Sequence, residues 1–352
     1  VSGSVSIQVN SSTAVINEDF IIEPAPVDNI ISLPFNNSDN EVSFSITPLV
    51  DSDSDEEELV FTLQSKDGIN VGQIPSITLT LVEADNGGNQ NGGNTAFDPC
   101  IPDYTSNDLN VATWNIRQFP DRGNTTINAV KEIIENFDVD VIGVQEITSI
   151  SQFESLVDDI DGWEAIATNV NGSIELGYLY KTSEIEILEN PSILFAGDRQ
   201  PFPREVVRMK IRHTNGLEVV LMNLHLKCCT SGNGPARRTE ASQKLMAYLE
   251  ANLPNDEVIV LGDFNDRITG SNPFSNFVSD PDYEFADQSV AEGNSAFWSF
   301  PSFPSHIDHL LITNELFDNL ESSETIILNS CVSDYPRNVS DHRPVVASFK
   351  AD

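Results

Sequence analysis

Through the first hundred residues, apolar and polar positions alternate in short bursts: VSIQV, AVINEDFII, EVSFSIT, ELVFTLQ and SITLTLV. Alternation of period two, with no helical repeat of useful length, predicts strands, and five in succession predict a small all-β sandwich over residues 1–84. DNGGNQNGGNT (85–95) carries neither pattern and reads as a flexible Gly/Asn linker, residues 85–97. From 98 to 352 the pattern changes. LNVATWNI reads as a strand, and TINAVKEIIENF as a helix with Ile127, Val130, Ile134 and Phe137 on one face. VDVIGVQEI follows as a strand and SQFESLVDDI as a short helix. GYLYK, EIEIL, VVRMKIRH and LEVVLMNLHL are successive strands. RRTEASQKLMAYLEANL is a long amphipathic helix ahead of EVIVLGDFN, and HIDHLLI and RPVVASF close the chain as strands. Most neighbouring strands are joined without helices. The pattern therefore predicts an α/β fold of two packed mixed sheets flanked by helices, not a singly wound parallel sheet.

Several apolar strands end in the wrong chemistry for a core. VIVLGDFNDR (258–267) passes from four apolar residues to Asp263, Asn265 and Asp266, and strand alternation predicts Asp263 and Asn265 on the same side. Asn115 ends VATWN, Glu146 ends VIGVQE, His225 sits in VVLMNLH, Asp308 interrupts HIDHLL, and Asp341 and His342 precede RPVVASF. One acid at a strand end is ordinarily a turn residue. Six strands delivering Asn, Glu, His or Asp point to one shared site on rigid elements. Glu146 and Asp341, helped by Asn115, offer hard oxygen ligands suited to magnesium or manganese. A histidine beside a carboxylate, as in His342 with Asp308 or His225 with an upstream acid, suits proton transfer near neutrality. No Cys/His zinc cage, GxSxG elbow or GxxxxGK[ST] loop is present, which leaves the competing hydrolase and nucleoside-triphosphatase classes without their signatures.

The net charge of −37 argues for solubility, for a saline exterior that screens it, and against general attraction to nucleic acid or anionic membrane. A polyanionic substrate must then be held by metal and local arginines. Residues 1–97 carry fifteen acidic side chains and one basic one, Lys66, so the imbalance begins in the first domain. No run of 18 apolar residues suggests a membrane span. The first residue is Val and no leader precedes it, which fits an exported, processed protein, secreted or periplasmic and bacterial. The four cysteines allow three pairings. A strained vicinal bridge between Cys228 and Cys229 leaves Cys100 for Cys331; four free thiols are the other reading.

VATWNIRQF, VIGVQEI, NLHL, LGDFN, HIDHLLI and SDHRPVV, in that order over residues 108–349, resemble the motifs of the endonuclease/exonuclease/phosphatase family, with its deoxyribonuclease I-like fold. The resemblance implies a four-layered α/β sandwich that cleaves phosphate esters with divalent metal. It implies Asn115, Glu146 and Asp341 on the metal side, and Asp263 and Asn265 at the reacting phosphate. His225 is the first histidine, oriented by Glu175, and His342 the second, oriented by Asp308. Arg204 and Arg117 resemble phosphate-contacting arginines. In that fold the strands after Cys100 and Cys331 lie close, which implies a Cys100–Cys331 bridge. FSITPLVDSDSDEEELVFTLQ more weakly resembles Calx-beta-like sandwiches, where Asp51, Asp53, Asp55 and Glu56 would hold structural calcium.

WNIRQF, NLHL and His225 favour the deoxyribonuclease-like branch. The aromatics of AFWSFPSF (296–303) could stack on a base or sugar, or pack their own loop. The expectation is a monomeric, secreted, metal-dependent phosphodiesterase acting on DNA or RNA, without membrane insertion. A phosphatase or phosphodiesterase for small organic phosphates is the alternative, and a non-catalytic calcium-binding adhesive protein a further one.

Overall fold

The computed structural model describes residues 3–11, 20–35, 42, 44–48, 57–64 and 76–81 of the N-terminal part. Beyond them it describes residues 97, 100–102, 104–105, 107–169, 174–229, 232–270 and 272–351. The chain divides into two compact units, Val1–Gly93 and Asn94–Asp352. Asp51, Asp53, Asp55 and Glu56, the expected calcium ligands, lie outside the described residues.

The first unit holds β1 (Gly3–Ser11), β2 (Phe20–Glu23), β3 (Ile30–Phe35), β4 (Ser45–Pro48), β5 (Glu57–Gln64) and β6 (Ser76–Leu81). A four-stranded sheet of order β3-β1-β5-β6 and a two-stranded sheet β2-β4 are both antiparallel. Alternate residues, among them Ile31 with Leu33 and Leu59 with Phe61, face one apolar cluster with Phe20 and Ile22. This is the all-β arrangement that the period-two pattern dictates.

The second unit comprises β7 (Leu109–Phe119), α1 (Asn124–Asn136), β8 (Val141–Ile147), α2 (Ile150–Glu154), β9 (Trp163–Ala167), β10 (Glu175–Lys181), β11 (Ile185–Leu194), β12 (Val206–His213) and β13 (Glu218–His225). It continues with α3 (Gly234–Asn252), β14 (Val258–Asp263), α4 (Ser275–Val278), β15 (Tyr283–Phe285), α5 (Gln288–Glu292), β16 (Asp308–Thr313), β17 (Leu320–Thr325), α6 (Tyr335–Asn338) and β18 (Val345–Phe349). Two six-stranded sheets form, ordered β17-β18-β7-β8-β10-β9 and β11-β12-β13-β14-β16-β15. Each contains one parallel pair, β7 with β8 and β13 with β14, and these two connections are the ones that pass through the long helices α1 and α3.

Three apolar clusters separate four layers. One lies between the sheets (Val111, Tyr178, Met209, Leu261), one beneath α1 (Trp114, Val130, Ile134, Val144) and one beneath α3 (Val220, Leu245, Val260, Phe277). The central strands are thus covered on both faces, which explains their continuous apolar runs. Gly143 has no side chain because a Cβ there would collide with Leu261 across the sheets. Beside it, Gln145 Nε2 donates to Asn223 Oδ1 at 2.8 Å, and Asn223 Nδ2 donates to the carbonyls of Val144 (3.0 Å) and Gly177 (2.9 Å). These bonds join the two sheets directly beneath the strand ends that carry the polar residues. Cys100 and Cys331 form a disulfide, whereas Cys228 and Cys229 are free thiols, so the vicinal bridge expected from the sequence is absent.

Candidate active site

The site grows out of strand register. In the parallel pair β13–β14, His225 stands opposite Asp263; in the antiparallel pair β14–β16, Asp263 stands opposite Asp308. Directly opposed residues share a face, so three strands deliver His225, Asp263 and Asp308 as one row. His225 Nε2 lies 3.3 Å from Asp263 Oδ2. His342, just before β18, places Nδ1 2.8 Å from Asp308 Oδ2 and Nε2 3.9 Å from Asp263 Oδ2. From the other sheet, Asn115 Nδ2 donates to Asp263 Oδ2 at 3.0 Å and reaches Glu146 Oε1 at 3.4 Å. Glu146 Oε1 is also 3.9 Å from His225 Nε2.

The segment carrying His342 is fixed by groups that no sequence pattern singled out. Ser340 Oγ donates to the Asn115 carbonyl at 2.6 Å and accepts from His342 N at 3.0 Å. Tyr335 Oη donates to the His342 carbonyl at 2.7 Å and accepts from Trp114 Nε1 at 3.0 Å. Glu146 takes a positive φ of 67°, and Arg117 and Gln118 take 42° and 44° where β7 bulges away from β8. Side chains seldom occupy this left-handed region, and its concentration here marks a place where the fold sustains strain to aim groups. The bulge turns Gln118 N onto Glu146 Oε2 at 3.0 Å.

Asn265 reaches the site by a route other than strand alternation. β14 ends at Asp263, and Asn265 adopts φ 56°, its backbone N–H donating to Asp263 Oδ1 at 2.9 Å. This turn, closed by the aspartate's own side chain, replaces the pleat as the reason the two residues are adjacent. Asn265 Nδ2 donates to the Leu226 carbonyl at 3.2 Å, which Arg204 Nη1 also approaches at 3.4 Å. Arg117 Nη1 donates to the Pro336 carbonyl at 2.8 Å, with Nε 3.9 Å from Asp341 Oδ1. Glu175 is buried at the start of β10, lining a small crevice with Arg204, Thr168 and Glu205. It does not orient His225 here, because His225 Nδ1 is buried without a hydrogen-bond partner.

The electrostatics divide the titrating groups. Burial and the neighbouring Asp308 push the Asp263 carboxyl up to about 7. Burial, then Arg204, holds His225 well below the usual histidine range, so it is neutral. Burial opposes charge on His342, but Asp308 outweighs it, helped by Asp263 and Asp341, and raises it to about 10. Glu146, Asp263, Asp308 and Asp341 therefore face few cationic groups, and Asp308 Oδ1 is buried without a partner. That surplus of carboxylate oxygen, with Glu146 partly open to solvent, fits a divalent cation. Asp263, Asp308 and His342 bring ligand atoms within 4.8 Å of one another, but the Asp308–His342 hydrogen bond makes them a proton-handling unit.

A second histidine–carboxylate cluster stands behind the first. Asp287 Oδ2 receives His306 Nε2 at 3.0 Å and His309 Nδ1 at 2.5 Å, and Oδ1 accepts from Leu310 N at 2.8 Å. Ser299 joins the clusters: its N–H donates to His306 Nδ1 (3.2 Å), and its hydroxyl accepts from the N–H groups of Ile307 and Asp308, both at 3.2 Å. The two histidines flank Asp308 in HIDH, the one sequence signal that could have announced them.

Two sheets in four layers, with acids, amides and histidines converging at the ends of their central strands, define a phosphoric ester hydrolase. The chain belongs to the Endonuclease/Exonuclease/phosphatase family, whose sequence profile matches residues 112–342 and whose members are metal-dependent hydrolases of such esters. No curated protein matches it in sequence. Among solved structures it is similar to Danio rerio TDP2 complexed with a single-strand DNA product (15% identity, TM-score 0.56, covering 69% of this chain and 99% of that one). It is similar to the human Nocturnin catalytic domain with bound sulfate (17%, 0.55, 69% and 93%). A third is the Bacteroides thetaiotaomicron mannosyl-6-phosphatase (18%, 0.52, 68% and 98%). At these identities the likeness is one of fold.

Proposed function

We propose that the chain is an exported, monomeric phosphodiesterase that hydrolyses DNA or RNA with Mg2+ or Mn2+. The observation that carries this reading is the row His225–Asp263–Asp308, completed by His342 and by Asn115 from the opposite sheet. Glu146 and Asp341, with Asn115, would hold the metal, which when bound withdraws charge from the phosphate oxygens. Asn265, Arg204 and Arg117 orient the phosphate. His342 with Asp308 is one of the two histidine–carboxylate pairs that the sequence offers for proton transfer. Held as an imidazolium by Asp308, His342 donates through Nε2 to an oxygen that gains charge in the transition state. The proton from attacking water goes to Asp263, whose value near 7 matches a general base at neutral pH. His225, neutral, stands beside Asp263 with Nε2 3.3 Å from Oδ2. Among the described residues no helix is long and apolar enough to cross a membrane.

The acidity of the chain favours a second reading, in which the substrate is a small organic phosphate, since a long polyanion gains from positive potential that −37 does not supply. The deciding measurement is kcat/KM on plasmid DNA, RNA, bis(4-nitrophenyl) phosphate and 4-nitrophenyl phosphate, each with magnesium, manganese, calcium or chelator. Preference for nucleic acid sustains the first reading and preference for the small esters the second. Undiminished turnover in chelator would defeat both.

A further inference from the structure

Three residues beyond His225, the chain makes a turn that neither the fold nor the proposed chemistry uses. Cys228 and Cys229 present their sulfurs 2.8 Å apart, with Lys227 Nζ 3.4 Å from Cys228 Sγ. Cys229 is exposed and takes φ 77°, in the left-handed region. The turn is gripped from beneath. Arg238 of α3, fully buried, donates through Nη1 to the carbonyls of Lys227 (2.5 Å) and Cys229 (3.0 Å), and through Nη2 (2.5 Å) and Nε (3.1 Å) to Asp266 Oδ2. Glycine at 234 lets α3 approach this closely, since a Cβ there would strike both cysteine carbonyls. One guanidinium thus clamps the cysteine turn to the residue after Asn265. On the other side, the Leu226 carbonyl receives Asn265 Nδ2 and Arg204 Nη1.

We propose that Cys228 and Cys229 are a redox modification site, closed to a vicinal disulfide by a low-molecular-weight disulfide, and that closure shifts the Leu226–Cys229 turn and lowers turnover at the adjacent phosphate site. The Cys228 thiolate attacks one sulfur of the small disulfide and expels a thiolate. The Cys229 sulfur, after losing its proton, attacks Cys228 in the mixed disulfide and expels the second. Two electrons pass to the reagent, which leaves as two thiols, and the protein loses two hydrogens. The hydrogen bond from Cys229 and the ammonium of Lys227 hold the Cys228 thiol below its ordinary value, which identifies the attacking sulfur. The second step needs no search, because the sulfurs already touch. Adjacent Cα atoms, about 3.8 Å apart across a trans peptide, are closer than an ordinary disulfide prefers, so closure must move backbone and is readily reversed. The backbone that moves is the one Arg238 holds.

The effect on turnover rests on the proposed phosphodiesterase reading; the modification itself does not. The full chain is treated with glutathione disulfide, alkylated, digested and mapped by mass, and bis(4-nitrophenyl) phosphate hydrolysis is followed before and after dithiothreitol. The expected peptide lacks two hydrogens and carries neither glutathione nor alkyl group at Cys228 and Cys229. Turnover falls by about tenfold or more and recovers on reduction. The Cys228→Ser/Cys229→Ser double variant keeps wild-type turnover and ignores the reagent. Glutathione retained on either cysteine, or both remaining alkylatable, overturns the modification. A closed ring with unchanged turnover overturns its coupling to the site. A chain inactive even when reduced defeats the phosphodiesterase reading alone, since the peptide mass still decides the modification.

Discussion

On either side of Ser299, Asp263, Asp308 and His342 face Asp287, His306 and His309: two acids to one histidine, against one acid to two. Both clusters are buried, and both bring three ligand atoms within 4.8 Å. The second is closed. His306 accepts at Nδ1 from Ser299, so its proton is on Nε2, where it meets Asp287; a metal there would demand an imidazolate. His309 reaches Asp287 with Nδ1 and the Asp266 carbonyl with Nε2 (3.1 Å), so both ring nitrogens donate and the ring is an imidazolium. Asp287 holds its carboxyl well below the usual range: burial opposes this, and the two histidines outweigh it. The first cluster has an orphan oxygen on Asp308 and an acid displaced to about 7. Buried charge that is balanced builds structure, and buried charge that is unbalanced awaits a substrate.

The sharpest test exchanges one acid in each cluster. Asp263→Asn should lower kcat/KM on a diester by about 10²–10⁴-fold while leaving the melting temperature equal or higher, because a repelled carboxylate is removed. Asp287→Asn should do the reverse, costing about 3–5 kcal/mol of stability by stranding a buried imidazolium, with kcat/KM per folded molecule altered far less. If the two variants lose activity and stability in the same proportion, the distinction collapses.

The pH dependence of stability, measured by thermal melts in chelator, should have opposite signs at the two acids. Asp263 binds a proton in the folded chain that the unfolded chain releases near pH 4. Its stabilisation is complete below about pH 4 and is lost as pH rises through about 7. Asp287 titrates lower when folded than when unfolded, so its stabilisation is present above about pH 4 and is lost as pH falls further. Asp263→Asn should flatten the decline toward neutrality, and Asp287→Asn the decline in acid. Parallel curves for the two variants would contradict the assignment.

The smallest effect belongs to the bridge. Ser299→Ala leaves a buried N–H group, that of Asp308, and a part-buried one, that of Ile307, without their acceptor, for about 1–3 kcal/mol, and should move the melting temperature and kcat together, since the hydroxyl serves both clusters. A change in one readout alone would show that the clusters are not joined through it.

The contrast also explains what could be read along the chain. Asn115, Glu146, His225, Asp263, Asp308 and His342 were legible because each breaks an apolar run at a strand end, and register carries such breaks to one place. The layers were legible because central strands covered on both faces must be apolar throughout. Asp287, Ser299 and Ser340 follow no period; they lie in connections and act through single hydrogen bonds that only the folded chain brings about. Asn265 does lie beside Asp263, but not through alternation, which ends at Asp263, where a turn takes over. Glu175 shows the limit of order along the chain: a residue can occupy the expected position and still not hydrogen-bond the ring nitrogen it was expected to orient.

The Cys100–Cys331 bridge closes most of the second unit into a covalent ring, and it draws a line through the active centre. Asn115, Glu146, His225, Asp263 and Asp308 belong to the ring. Asp341 and His342 belong to the short segment after it, joined to the ring by noncovalent contacts, among them the pairing of β18 with β7, Ser340 with the Asn115 carbonyl, Tyr335 with Trp114 and His342 with Asp308. A protease cut inside the ring leaves every group of the site on one covalently connected molecule. A cut between Cys331 and Asp341 leaves the imidazolium attached by noncovalent contacts alone, so the peptide bonds on which the covalent integrity of the site depends number ten and lie in one stretch.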